Sequence, residues 1–256
     1  MLFFTDPLRL AFAALIVLRV SGGFAQAFTD RVAEFHPGPD AGFGQDYFPA
    51  NVLGPPRGNA DPAKPNQSPA DLLSLGSGGW IVLEFTNNEI VDGQGADFTV
   101  FENPFQPIGM PDLCFSETAI VSVSDDGTSW TTFPFDFADP GPPDSNLLQK
   151  HLYNGFAGLT AVYSSPANGI SPFDPAVSGG DSFDLAKAGL SAVRFVRIQD
   201  TGTTDISPML APSGAIVNDF GNVITAPPTA GFDLDAVAAI HTRPLNAFIR
   251  EWTLYE

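Results

Sequence analysis

Ala119-Ile120-Val121-Ser122-Val123-Ser124 runs through Asp125-Asp126-Gly127 into Ser129-Trp130-Thr131-Thr132-Phe133-Pro134-Phe135, and this stretch decides the fold. Ala119, Val121 and Val123 recur with the two-residue period of a strand buried on one face. Asp-Asp-Gly between two such segments is a hairpin signal, because glycine takes positive φ and aspartate caps turn N–H groups. The same period recurs on either side. Trp80–Thr86 aligns Ile81, Leu83 and Phe85, and Asp97–Glu102 aligns Phe98 and Val100. Val193–Ile198, Phe232–Ile240 and Arg250–Tyr255 complete the predicted strands. Helical signal is confined to one short turn within Ser182–Leu190. Short strands joined by Gly- and Pro-rich loops predict an all-β chain, a jelly-roll β-sandwich with long irregular loops at 36–71 and 136–180. No break in composition and no repeat divides residues 28–256, which read as one domain.

The 256 residues carry 11 Lys+Arg against 29 Asp+Glu, a formal charge of −18, and 44% are hydrophobic. That hydrophobic fraction excludes an acidic disordered chain, which combines high charge with low hydrophobicity. The charge excludes a generic nucleic-acid binder, which needs a basic surface to neutralise phosphates. Residues 1–27 read as a secretory signal: Arg9 closes a short leading region, Leu10–Val20 is an apolar stretch interrupted by Arg19, and Ala25-Gln26-Ala27 is an A-x-A-like cleavage site. Removing Arg9, Arg19 and Asp6 with that segment leaves 9 basic and 28 acidic residues, a net −19. No later run approaches the ~18 apolar residues of a membrane span. The expected location is therefore secreted, periplasmic or at the cell surface. Cys114 is the single cysteine, so an internal disulfide and a thiolate metal site are both excluded. Between Leu113 and Phe115 it reads as a small buried apolar residue.

Val121-Ser122-Val123-Ser124-Asp125-Asp126-Gly127-Thr128-Ser129-Trp130 resembles the V-x-V-S-x-D-G-x-x-W hairpin of discoidin-type (coagulation factor C-type) domains. Arg194-Phe195-Val196-Arg197-Ile198 is similar to their R-Y-V-R-I strand and follows in the same order. A wider pattern resembles bacterial exported proteins described as cell surface proteins. It comprises Val52-Leu53-Gly54-Pro55-Pro56, Ser74-Leu75-Gly76, Asp92-Gly93 and Asp97–Asn103. It continues in Gly179-Gly180-Asp181-Ser182-Phe183-Asp184-Leu185 and Gly231-Phe232-Asp233-Leu234-Asp235-Ala236-Val237. The resemblance implies a galactose-binding-like sandwich that binds ligands through loops at one end, often with structural calcium. A late-strand acid ligates that calcium in discoidin-type domains, and Asp235 is the matching position.

Read by themselves, the acids fall into Gly-flanked segments. Calcium takes six to eight oxygens at ~2.3–2.6 Å, and carboxylates in sharp loops supply them. Asp92, Asp97, Asp233 and Asp235 are the candidate metal ligands. Period-2 geometry places Asp233 and Asp235 on one face, where they repel unless a cation or hydrogen-bond donors intervene. The competing explanation is that these acids cap turns by accepting backbone N–H bonds. Candidate ligand-binding residues are Glu102, Asn103, Glu117, Asp181 and Asp184, with Tyr153, Tyr163 and Phe173 as stacking platforms. Such aromatics also pack back onto a sandwich as core.

Catalytic signals are sparse. His36, His151 and His241 lack metal-ligand spacing, and no G-x-S-x-G elbow is present. The leading expectation is an exported, non-catalytic protein that binds a glycan or another small extracellular ligand, with calcium stiffening its loops. One alternative is a glycoside hydrolase using paired loop carboxylates. Another is a surface capture protein for a non-sugar nutrient, working beside an outer-membrane transporter.

Overall fold

The computed structural model describes residues 27–139, 147–217 and 229–245. The signal-like segment, apart from Ala27, and the expected strand Arg250–Tyr255 lie outside the described residues. The first strands are β1 (Arg31–His36), β2 (Leu73–Ser74), β3 (Trp80–Glu84) and β4 (Asn88–Val91). Next come β5 (Phe98–Glu102), β6 (Leu113–Cys114), β7 (Ala119–Ser124), β8 (Thr131–Thr132) and β9 (Asp136–Phe137). Then follow β10 (Leu148–Gln149), β11 (Tyr153–Asn154), β12 (Asp181–Phe183) and β13 (Ala192–Val193). The last are β14 (Phe195–Asp200), β15 (Asp233–Ala239) and β16 (Thr242–Pro244).

Two antiparallel sheets dominate, ordered β1-β3-β14-β7-β8 and β12-β5-β15-β2. Strands close in sequence fall in different sheets: β1, β3, β7 and β14 in one, β2, β5, β12 and β15 in the other. This alternation makes the chain an all-β sandwich with jelly-roll-type connections. The sheets share one core. Ile81, Leu83, Val121, Val123, Val196 and Ile198 from the first sheet join Phe98, Val100, Phe183, Leu234 and Val237 from the second. Apart from Phe183, which lies in no predicted strand, and Val237, which the bulge in β15 brings to this face, these are the alternating apolar positions of the predicted strands.

The hairpin after β7 is closed by hydrogen bonds from its own side chains. The Asp126 carboxylate accepts the N–H groups of Thr128 and Ser129 at 2.7 Å, and Gly127 sits at φ 73°. The strand expected over Ser129–Phe135 narrows to Thr131–Thr132, although the Phe133 N–H still bonds Val121. Pro134, with no N–H to donate, follows directly. The Val193–Ile198 strand is divided at Arg194. Ala192–Val193 pairs with β4, while Phe195 onward pairs with β3 and β7. The Arg194 guanidinium turns to Glu84 at 2.6 Å, and Arg31 holds the other side of that buried carboxylate.

The second long loop contributes to two further buried clusters. Cys114, Phe137, Leu148, Tyr153 and Phe156 form a second buried cluster. Phe28, Phe101, Val162, Ala236 and Ala238 form a third on the outer face of the four-stranded sheet, with Phe173 packed against it. A bulge in β15 between Leu234 and Ala236 divides that strand's apolar residues between the two faces.

Candidate functional site

Strands β5 and β15 run antiparallel, with Phe98 opposite Ala239 and Glu102 opposite Leu234. Asp97 therefore lies at one end of the pair, and Glu102 and Asp233 at the other, about 16 Å away at ~3.3 Å per residue. The four candidate calcium ligands are divided accordingly. Asp92 and Asp97 occupy the first end, and Asp233 and Asp235 the second.

At the first end Asp184 joins Asp92 and Asp97. Each offers a carboxylate oxygen within 4.8 Å of the others. Asp97 is fully buried and already well supplied with donors. Its Oδ1 lies 2.8 Å from the Gly93 N–H and 2.8 Å from His241 Nδ1, and its Oδ2 accepts the Leu185 N–H at 2.7 Å. Asp184 accepts the Ala186 N–H at 2.9 Å and caps the 3-10 turn Leu185–Ala188, which Gly189 ends at φ 69°. That is the single turn legible in Ser182–Leu190. The exposed Asp92 completes the group.

The second end is built differently. Phe105 and Phe115 face each other as an isolated antiparallel pair, exchanging N–H···O bonds of 2.9 and 2.8 Å. Residues so paired present their side chains on the same side. With Phe43 they line a cleft of about 400 Å³. Its polar lining includes the amides of Gln67 and Asn103 and the carboxylates of Glu117 and Asp233. Asn103 is fixed by donating to the Asn66 carbonyl at 2.8 Å. Phe105 remains 37% exposed, so an aromatic surface is open to a ligand.

Glu102 is buried beside this cleft, 1% exposed, and neither of its carboxylate oxygens has a hydrogen-bond partner. Burial pushes its carboxyl well above the ordinary range, and the neighbouring charges of Glu117 and Asp233 push it further. Asp233 Oδ1 is likewise buried and unpartnered. Burial raises Asp233 to about 7, with the Asp200 charge adding to the rise against a Ser74 hydrogen bond. Asp235 adjoins the same region but lines a separate small cavity with Asn66, Asn103 and Val162. It accepts the Arg57 N–H, and burial raises it to about 8.

The remaining candidates lie elsewhere. Asp181, Asp184 and Tyr153 line another cleft, of about 490 Å³, together with Lys187. Asp181 accepts the N–H groups of Gly158 and Leu159 and the Thr160 hydroxyl, each at 2.8 Å, so its carboxylate ties down the preceding loop. Tyr153 is 5% exposed and packs edge-on against Phe156, and Phe173 packs on Phe28 at 5.2 Å. Both are largely core aromatics. Half-buried Tyr163 lines neither of the two clefts; its carbonyl accepts the Asn168 amide at 2.6 Å. The structure thus gathers Asn103 and Glu117 at one cleft, with Glu102 behind it, and adds Asp233. Phe43, Phe105, Phe115 and Gln67 were not legible as site residues, because only the bridge between residues ten apart and the folded first long loop bring them together. Compared with protein-family models and with curated proteins, the chain matches none.

Proposed function

We propose that this chain is an exported β-sandwich that binds a glycan, without chemistry, in the cleft of Phe43, Phe105 and Phe115. The observation that carries this reading is the aromatic wall set beside planar polar groups: the exposed Phe105 ring with the Gln67 and Asn103 amides and the Glu117 carboxylate. Sugars offer apolar ring faces to stack and hydroxyl edges to hydrogen-bond, and such a lining meets both. The resemblance to bacterial cell surface proteins supports an extracellular place of action. The test is calorimetric titration with oligosaccharides, comparing the parent with Phe105→Ala and Asn103→Ala. We expect binding that weakens about tenfold in each variant. Heat-silent titrations across neutral, acidic and amino oligosaccharides would remove the reading.

Calcium belongs to the opposite end of the sheet, held by Asp92, Asp97 and Asp184, whose oxygens approach within 4.8 Å. Asp97 already satisfies backbone donors there, so the site is expected to be weak, in the ~10⁻⁴–10⁻³ M range of extracellular modules. At about ten times that dissociation constant, calcium adds about 1.4 kcal/mol and raises the melting midpoint by about 3 °C over chelator. Asp92→Ala abolishes the rise. An equal midpoint in calcium and in chelator removes calcium from the description.

A further inference from the structure

We infer that the ligand of the Phe43–Phe105–Phe115 cleft carries positive charge, as a glycan with free amino groups does. The inference rests on the glycan reading of that cleft and specifies its ligand class. Three observations support it. First, the described residues lining the cleft include two carboxylates, Glu117 and Asp233, and no lysine or arginine. Second, three buried carboxylate oxygens at this end lack donors. Both oxygens of the buried Glu102 and the Oδ1 of Asp233 have no hydrogen-bond partner. Buried polar groups are nearly always satisfied, so an unsatisfied group beside a cleft marks a place where something else completes it. Third, the walls are aromatic. The face of a phenyl ring attracts a cation, and the attraction grows as water is excluded.

Competing classes fit less well. An anionic sugar would meet the Glu117 and Asp233 charges with no counter-charge in the described lining. A neutral sugar would stack on Phe105 and offer hydroxyl donors, but it brings no positive charge. An ammonium donates up to three hydrogen bonds and brings the missing charge. A formal charge of −18 over the chain adds a long-range field that draws cations toward the protein. The carboxylates at the first end of the sheet make no equal claim, because Asp97 is filled by Gly93, Leu185 and His241.

The experiment compares a glucosamine oligosaccharide with its N-acetylated and its cello-configured counterparts of the same length, by calorimetry at neutral pH. Chelator is present throughout, so that no divalent ion stands in for the ammonium. We expect the amino oligosaccharide to bind at least about tenfold more tightly than either neutral one. Raising the salt from about 50 to 500 mM should erode that advantage through screening, a readout on the parent protein that needs no variant to fold. Glu117→Gln should collapse the preference, with circular dichroism confirming the fold. Equal binding of all three oligosaccharides overturns the inference and leaves the glycan reading standing. A preference untouched by salt overturns it as well. Failure of every oligosaccharide to bind overturns both.

Discussion

The two ends of the β5–β15 strand pair hold similar numbers of carboxylates in opposite conditions. At one end Asp97 is buried with three donors around it, supplied by Gly93, Leu185 and His241. At the other, Glu102 is equally buried with none. The cause is local backbone. The Asp92–Asp97 segment is a glycine-containing turn, and the 3-10 turn at Leu185 begins beside it, so free N–H groups point inward. Glu102 instead ends β5, where no N–H reaches either of its carboxylate oxygens and its neighbours are other acids. Burial of an acid is thus no single property. A carboxylate with donors fastens a fold, and one without them weakens it until a proton or a ligand arrives.

The largest effect should come from breaking the well-supplied end. Asp97→Ala leaves the Gly93 and Leu185 N–H groups without their acceptor and parts His241 from its partner. Hydrogen bonds to a charged group contribute about 1.5–3 kcal/mol each, so a loss of at least about 3 kcal/mol is expected in urea unfolding. A loss below 1 kcal/mol would mean that water or neighbours replace the carboxylate and that the contrast between the ends is overstated.

The opposite sign is expected at the other end. Glu102→Met replaces an unpartnered buried acid with an apolar side chain of similar size, and should stabilise the fold by about 1–3 kcal/mol at pH 7. The pH dependence sharpens the point. Glu102, Asp233 and Asp235 all have folded-state values raised above their ordinary ones, Asp233 to about 7 and Asp235 to about 8. Groups shifted upward bind protons more tightly in the folded state. Their contribution is fully present below the ordinary carboxyl range and is lost as pH rises through the folded values. Stability should therefore fall between pH 5 and pH 8, and Asp235→Asn should flatten the upper part of that fall. Denaturation midpoints that rise over this interval would contradict the upward shift that burial imposes on these acids.

Much of this contrast was hidden in the sequence. The strands and their buried faces were legible, since Ile81, Leu83, Phe98, Val100, Val121 and Val123 follow a two-residue period that any sandwich must bury. The hairpin at Asp125-Asp126-Gly127 was legible too, because turn chemistry is local. Which acids would meet was not. Asp92, Asp97 and Asp184 gather because β12 pairs with β5 and carries Asp184 beyond Phe183, opposite Phe98. Asp233 parts from Asp97 because β15 runs antiparallel to β5, a fact of sheet order rather than of composition. The break at Arg194 was equally invisible, since Val193–Ile198 is unbroken in hydrophobic pattern. The Glu84 carboxylate that draws in Arg194 lies 110 residues away.

The smallest effect tests the same contrast at its edge. Asp184 belongs to the well-supplied end but is only half-buried, and its one N–H bond caps a turn of four residues. Removing such a cap costs about 1 kcal/mol, because the turn's first N–H must find water instead. Asp184→Ala should therefore lower the melting midpoint by only about 2–4 °C, well short of the loss at Asp97. Asp184→Asn should restore most of it, since an asparagine amide oxygen caps nearly as well as a carboxylate. If Asn fails where Asp succeeds, the Asp184 charge matters beyond the cap, and a cation held with Asp92 and Asp97 becomes the explanation. If Asn succeeds, the first end of the sheet is held by hydrogen bonds to its own backbone, and the contrast with Glu102 stands on donors alone.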